Sequence, residues 1–255
     1  RVYFNTSLRN WSGKLYREFR TAFPINMDSP EVAHEVPFGN VRVGKDEIET
    51  GGEWYTPLCK DVCPRGIIDW ISATDDDISI TLSSSVAAAD WIDPTGKANT
   101  TMLQNLLLAS RRSCHWEGNE YLQGGDHHYH NVFTSNKSGS VNGQKIAKQE
   151  NEPIQVVFNP VTTSKPYLPE NLSFFGIDAE NVIITTIKKA EDSEEFIARM
   201  YNLKDGNESV NMSSYFDITS YKHTNIIEEN PKAIAPKLEL GKYAIETFSL
   251  GTKSN

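Results

Sequence analysis

Cysteine is scarce in this 255-residue chain: there are three, an odd count. Cys59 and Cys63 stand as C-x-x-x-C, open to pairing or to metal, but no further ligands accompany them. No apolar run reaches the length needed to span a membrane as a helix. A glycine-rich phosphate loop, a G-x-S-x-G nucleophile elbow and an H-E-x-x-H helix are all missing, which removes the motif-bearing nucleotide, serine-hydrolase and zinc-protease chemistries. Positive charge is also short. Twenty-five Lys and Arg face 34 Asp and Glu, a net charge of −9. Nucleic acid and anionic membranes select basic surfaces, so neither is expected as a partner.

Helical periodicity is nearly absent, and what replaces it is period-two alternation. Val2, Phe4, Thr6 and Leu8 alternate with Tyr3, Asn5 and Ser7. Further strands are predicted at residues 15–23, 67–71, 78–82, 155–158, 196–203, 212–218, 224–228 and 243–250. Asp75, Asp76 and Asp77 form an acidic turn, and Asp205-Gly206 reads as a hairpin turn. One short helix is predicted at residues 144–149, after a Ser/Gly-rich loop at 135–143. Three prolines between residues 159 and 169 break both helix and sheet. The expected class is all-β, with a large β-sandwich region over residues 1–160, a proline-rich linker at 161–170 and a small terminal β-sandwich at 171–255.

Polar chemistry concentrates in residues 102–133, MLQNLLLASRRSCHWEGNEYLQGGDHHYHNVF. An apolar run (Leu103, Leu106, Leu107, Leu108) ends in Arg111 and Arg112. A loop with Trp116, Glu117, Asn119 and Glu120 follows, and Gly124-Gly125 leads into a second strand. The stretch reads as a β-hairpin with a long decorated tip. In its second strand Asp126, His128 and His130 share one face, so a zinc site is one reading. The missing fourth ligand favours the other, a strand of hydrogen-bonded histidines beside Tyr129.

This stretch resembles the C-terminal β-region of glycoside hydrolase family 38, the α-mannosidases. There too a leucine-rich strand ends in arginine, and a variable acidic loop precedes Gly-Asp-His-His. Residues 23–40 resemble the family's Val-Pro-Phe-Gly segment, here Val36 to Gly39. Residues 181–201 (NVIITTIKKAEDSEEFIARMY) resemble its strand, lysine, acidic turn and arginine-bearing strand, here Arg199. The resemblance implies a mutarotase-like β-supersandwich, followed by the small sandwich. The family's catalytic half is an α/β barrel in which a His-x-Asp pair with further Asp and His ligands holds zinc and an Asp attacks the anomeric carbon. No histidine here is followed two places on by Asp, and the strand-helix alternation of a barrel is missing.

The resemblance therefore implies a non-catalytic region: no catalytic residue and no cofactor of its own, with zinc and the retaining hydrolysis of α-mannosides left to a barrel elsewhere in the parent. The implied partners are that barrel and an α-mannoside carbohydrate. Arg111, Arg112, Trp116, Glu117 and Asp126 match the hairpin that approaches the family's substrate cleft. The competing role for its arginines is pairing with barrel carboxylates. Trp70 is expected in the core, whereas Trp54 and Trp91, beside Gly, Asp and Pro, are candidates for a sugar platform. Two other classes remain in play. One is a free-standing carbohydrate-binding module. The other is a mutarotase-like epimerase using His128 or His130 with a carboxylate.

Seven N-x-S/T sequons, beginning at Asn5 and Asn10, exceed the roughly three expected by chance. They tilt the expected compartment toward export, periplasmic or secreted. The sequence opens in mid-strand without an initiator Met or a charged-then-apolar leader, which suggests a segment cut from a longer chain. Made without its barrel, such a segment is expected to expose an apolar face and self-associate.

Overall fold

A computed structural model describes residues 1–47, 64–93, 100–113, 118–158 and 169–253. The chain divides into two compact units, Arg1–Ile154 and Gln155–Asn255. In chain order the first begins β1 (Val2–Trp11), β2 (Arg17–Pro24), β3 (Glu31–Val36), β4 (Gly39–Arg42), β5 (Arg65–Gly66), β6 (Trp70–Thr74) and β7 (Ile78–Ser84). It continues β8 (Ala88–Asp90), β9 (Met102–Arg112), β10 (Glu120–Tyr121), β11 (Gly125–Lys137) and helix α1 (Asn142–Asn151).

These strands form two sheets. One has the order β1-β11-β7-β6-β3-β4; the other runs β10-β9-β8-β5, with β2 paired to β9. These strands pair antiparallel. Between the sheets lies an apolar core: Val32, Ile71, Ala73 and Leu82 from the six-stranded sheet meet Ala89 and Leu103 from the other. Trp70 is buried, as its apolar run suggests. The alternation that buries one face and exposes the other follows from the two-residue period of the strand.

Two turns show how local chemistry closes these hairpins. Asp75 Oδ1 accepts from the backbone N–H groups of Asp77 and Ile78 at 2.9 and 2.8 Å. This Asx-type capture is what an aspartate at the first turn position offers. In the Val-Pro-Phe-Gly segment Val36 pairs with Gly39, leaving Pro37-Phe38 as a two-residue turn. Proline presets the first φ, and Phe38 takes the left-handed value of +60°.

The predicted hairpin over residues 102–133 is not formed. β9 and β11 lie in different sheets, and β9 instead pairs with β10 through Arg112↔Glu120 and Arg111↔Tyr121. The stretch is a hairpin of β9 with β10 followed by a crossing between layers. Gly125, at φ +109°, makes the sharp entry into β11 in a conformation closed to residues with a Cβ. Residues 155–158, predicted as a strand, are exposed and outside any strand.

α1 extends the predicted helix at both ends and buries Gly143 and Ala147. It packs on β7 and β11. A Cβ added at Gly143 would come within 2.2 Å of Thr81 Oγ1 and 2.8 Å of its Cβ, so only glycine lets the helix approach this closely.

The second unit contains β12 (Phe175–Ile177), β13 (Val182–Lys189), β14 (Phe196–Asn202), β15 (Glu208–Ser214), β16 (Asp217–Thr224), β17 (Lys232–Ala233), β18 (Lys237–Leu240) and β19 (Ile245–Lys253). A three-stranded sheet, β12-β15-β18, faces a five-stranded sheet, β13-β14-β19-β16-β17. Val210, Met212, Leu238 and Leu240 on the first meet Val182, Ala198, Met200, Phe248 and Leu250 on the second.

Three local expectations fail here. Residues 212–218 are split by a turn at Tyr215-Phe216, and residues 225–228 are a loop beyond the end of β16. Asp205-Gly206 makes no hairpin, because β14 and β15 belong to different sheets.

The tight approach of α1 gives a test of the packing. Gly143→Ala should lower the unfolding free energy by about 1–3 kcal/mol through overpacking, although alanine is the better helix former by about 1 kcal/mol. Urea denaturation checks the sign.

Candidate functional site

The hairpin β9–β10 stands at one end of the second sheet, and its base is clamped. Ser110 Oγ donates to Leu122 O at 2.6 Å, and Trp11 Nε1 reaches Leu122 O at 3.2 Å and Ser110 Oγ at 3.3 Å. Trp11 also packs edge-on against Phe19, with ring centroids 5.0 Å apart. Beyond this clamp Ser113 N donates to Asn119 O at 3.0 Å, which closes the hairpin below its tip. Beside it lies an open cleft of about 490 Å³, lined by residues 86–88 and 106–109 together with Arg111, Tyr121 and Gln123. Its lining is aliphatic apart from one guanidinium, one phenol and one amide.

Arg111 holds its side chain largely in solvent, 61% exposed, with Glu18 at 3.7 Å. A surface pair at that distance contributes little, so this guanidinium stays available to a ligand or a protein carboxylate. Arg112 is bound to Glu120 across the hairpin at 2.5 Å. Asp126 is separate from both: its Oδ1 accepts from Asn10 N at 2.7 Å. Trp116 and Glu117 lie outside the described residues, as do Trp54, Cys59 and Cys63. Sequence reasoning passed over Tyr121 and Gln123, although both stand in the stretch it singled out; their role depends on the β9–β10 register, which no local pattern announces.

The three zinc candidates do not converge on an ion. Among the described residues no group of three or more His, Cys, Asp or Glu is arranged to hold a metal. The physical reason is β1, which pairs with β11 along this edge. His128 Nδ1 is hydrogen-bonded to Ser7 Oγ at 2.9 Å and His130 Nδ1 to Asn5 Oδ1 at 2.8 Å, while Asp126 is taken by the Asn10 amide. These three side chains therefore do not form a metal site. His130 does approach a carboxylate, Glu150, at 3.8 Å, but Arg1 and Tyr3 already donate to that carboxylate.

Trp91 is half-buried, and the guanidinium of Arg65 sits 5.1 Å from its ring centroid. Arg65 is fixed in turn by a two-pronged pair with Glu47, at 2.6 and 3.1 Å. One face of Trp91 thus carries a cation–π contact rather than solvent.

A second polar cluster lies away from the cleft. Glu35 and Asp69 are both buried. Asp69 N donates to Glu35 Oε2 at 3.1 Å; Asn151 Nδ2 donates to Asp69 Oδ1 at 2.9 Å, and Lys148 Nζ lies 3.4 Å from Asp69 Oδ2. Burial first, and the neighbouring Asp69 carboxylate second, push Glu35 up to about 7, while Lys148 pulls the other way. With Glu35 protonated, one ammonium balances one carboxylate. This acid holds strands and helix together; it does not line the cleft.

With that geometry in place, comparison with known proteins is informative. Residues 181–248 match the family model described as the glycosyl hydrolases family 38 C-terminal beta sandwich domain. The matched span lies within the terminal unit. The resemblance read from residues 181–201 is thereby borne out. Two solved structures are similar to the chain along almost all of its length: an alpha-mannosidase from Enterococcus faecalis V583 and a protein in the glycosyl hydrolase family 38 from Enterococcus faecalis. Each aligns with a TM-score of 0.76 and 14% identity over 98% of this chain. At that identity the likeness shows a shared fold. The chain spans only 27% and 28% of those two proteins. No curated protein matches it.

The protonated state of Glu35 makes a prediction. Its folded pKa lies above the ordinary 4.5, so the stability it contributes is complete below about pH 4.5 and is lost as the pH rises through 7. Each unit is worth about 1.4 kcal/mol. Glu35→Gln, which fixes the neutral form, should gain on the native chain from pH 5 to 8 by up to roughly 3 kcal/mol. Melting temperatures of both proteins across that range would show it, and parallel curves would refute it.

Proposed function

We propose that this chain is the non-catalytic C-terminal β-region of an α-mannosidase-like glycoside hydrolase, packing on a catalytic barrel and presenting the β9–β10 hairpin near the substrate cleft. The observation that carries the reading is the pairing of the family 38 sandwich match at residues 181–248 with structural likeness that runs through the first unit as well. The parent, on this reading, hydrolyses α-mannosides with retention, uses zinc held in its barrel, and acts outside the cytoplasm.

The local geometry fits an accessory role. The hairpin is clamped at its base by Trp11 and Ser110, which fixes the strands that carry Arg111 and Tyr121, as a site completed from elsewhere requires. Arg111 is free to form a two-pronged bond to a barrel carboxylate or to sugar hydroxyls. The buried Glu35 and Asp69 are committed to internal bonds, so they supply no pair of carboxylates facing a substrate.

The test is hydrolysis of p-nitrophenyl α-mannoside by this chain and by the longer natural chain, each with and without added zinc. Turnover confined to the longer chain and dependent on metal supports the reading. Arg111→Ala in the longer chain should then lower kcat/KM about 10–100-fold, the loss of one or two charge-assisted bonds. Turnover by the 255-residue chain alone would overturn it.

A further inference from the structure

A column of three near-parallel aromatic rings climbs from the core of the terminal sandwich to its surface. Phe196 packs against the apolar core and stacks on Phe216, with centroids 5.7 Å apart and 18° between the planes. Phe216 stacks in turn with Phe174, at 5.9 Å and 19°. The column ends there with Phe174 47% exposed. Tyr215, 37% exposed, stands against Phe174 almost at a right angle, 84° at 6.0 Å.

Backbone bonds fix this corner. Tyr215 N donates to Phe174 O at 3.0 Å, Phe175 pairs with Ser214, and Phe216 N donates to Ser214 Oγ at 3.1 Å. Both exposed rings are therefore held by strand pairing and by the rings beneath them.

We propose that Phe174 and Tyr215 form a surface subsite for a mannose-type pyranose ring, separate from the cleft beside β9–β10. A pyranose has a flat C–H face and an edge of hydroxyl groups. An aromatic floor meets the first by apolar and ring contact. Exposed Ser213, on the strand paired with residues 175–177, offers a neutral donor and acceptor to the second, while Ser173 Oγ, which donates to Phe175 O at 2.9 Å, keeps acceptor capacity. Polyanions with flat rings, such as single-stranded nucleic acid, call for a basic groove, and a chain of net charge −9 lacks that overall bias. The choice of mannose among pyranoses rests on the proposed function; the ring subsite itself rests on the aromatic column. Its role would be to hold a polysaccharide or glycan chain near the hydrolase that cuts it.

The experiment is native electrophoresis of the 255-residue chain through gels with and without soluble α-mannan, alongside Phe174→Ala, Tyr215→Ala and Phe174→Tyr. Circular dichroism of each variant confirms folding. Mannan should retard the native chain. Phe174→Ala and Tyr215→Ala should each weaken the apparent affinity at least tenfold, while Phe174→Tyr, which keeps the ring, should stay within about threefold. No retardation of the native chain, or equal retardation of folded Phe174→Ala or Tyr215→Ala, overturns the subsite. The outcome is independent of the hydrolysis assay. Mannan retention with no α-mannosidase activity in the longer chain would remove the accessory reading and leave the subsite standing.

Discussion

The first unit depends on one amide pair between its two sheets. Asn105, on β9, donates through Nδ2 to Asn131 Oδ1, on β11, at 2.7 Å, and both residues are fully buried. Asn131 Nδ2 extends the contact to Thr21 Oγ1 on β2 at 3.4 Å. A buried amide left without its partner costs about 1–3 kcal/mol, so this pair constrains how the two layers slide and rotate. Apolar contacts alone tolerate many offsets, whereas a directed bond tolerates few. The register of β9 fixes the base of the hairpin, and the hairpin fixes Arg111 and Tyr121 at the cleft. A polar bond in the core thus sets the geometry of a site on the surface.

The same pair explains what the sequence hides. Period-two alternation marks many of the strands and locates the all-β class, while the short helix and the acidic turn at Asp75 are read from other local signals. It says nothing about which strand lies beside which. Residues 102–133 look like a hairpin because two strands flank a polar loop with Gly124-Gly125. The chain closes a shorter hairpin on Glu120-Tyr121 and then crosses to the opposite layer. Asp205-Gly206 misleads in the same way, since a turn dipeptide serves an arch between sheets as readily as a hairpin within one. Strand pairing is decided by which faces must be buried together, a non-local quantity. Conversely, Gln155 to Phe158 has strand composition but no sheet edge, and composition alone does not supply hydrogen-bond partners.

Site residues divide along a similar line. Arg111 is legible because two arginines ending an apolar strand have few local uses, and the resemblance gives them a place. The histidines of β11 carry a metal-like spacing and yet serve the edge of a sheet. Spacing on a strand aligns side chains on one face, but the neighbouring strand then competes for them. With Ser7 and Asn5 opposite, a hydrogen bond is available to each imidazole without recruiting a fourth ligand. Glu35 shows the reverse. Nothing in its surroundings in sequence marks it as an acid that holds its proton near neutrality; burial beside Asp69, thirty-four positions away, does.

The aromatic column of the terminal sandwich extends this argument to surfaces. A search of the sequence for sugar platforms turns to tryptophan, since its ring is the largest. Trp70 is buried and Trp91 carries the guanidinium of Arg65, so size draws these rings inward or into pairing. Phe174, smaller and placed just before an edge strand, keeps a large part of its surface in water because Phe216 and Phe196 already fill the space beneath it. Exposure of an aromatic ring is set by what the core has left over, not by the identity of the ring. A surface ring held rigid by stacked neighbours loses little freedom on binding, which is the condition under which a weak, flat ligand is held at all.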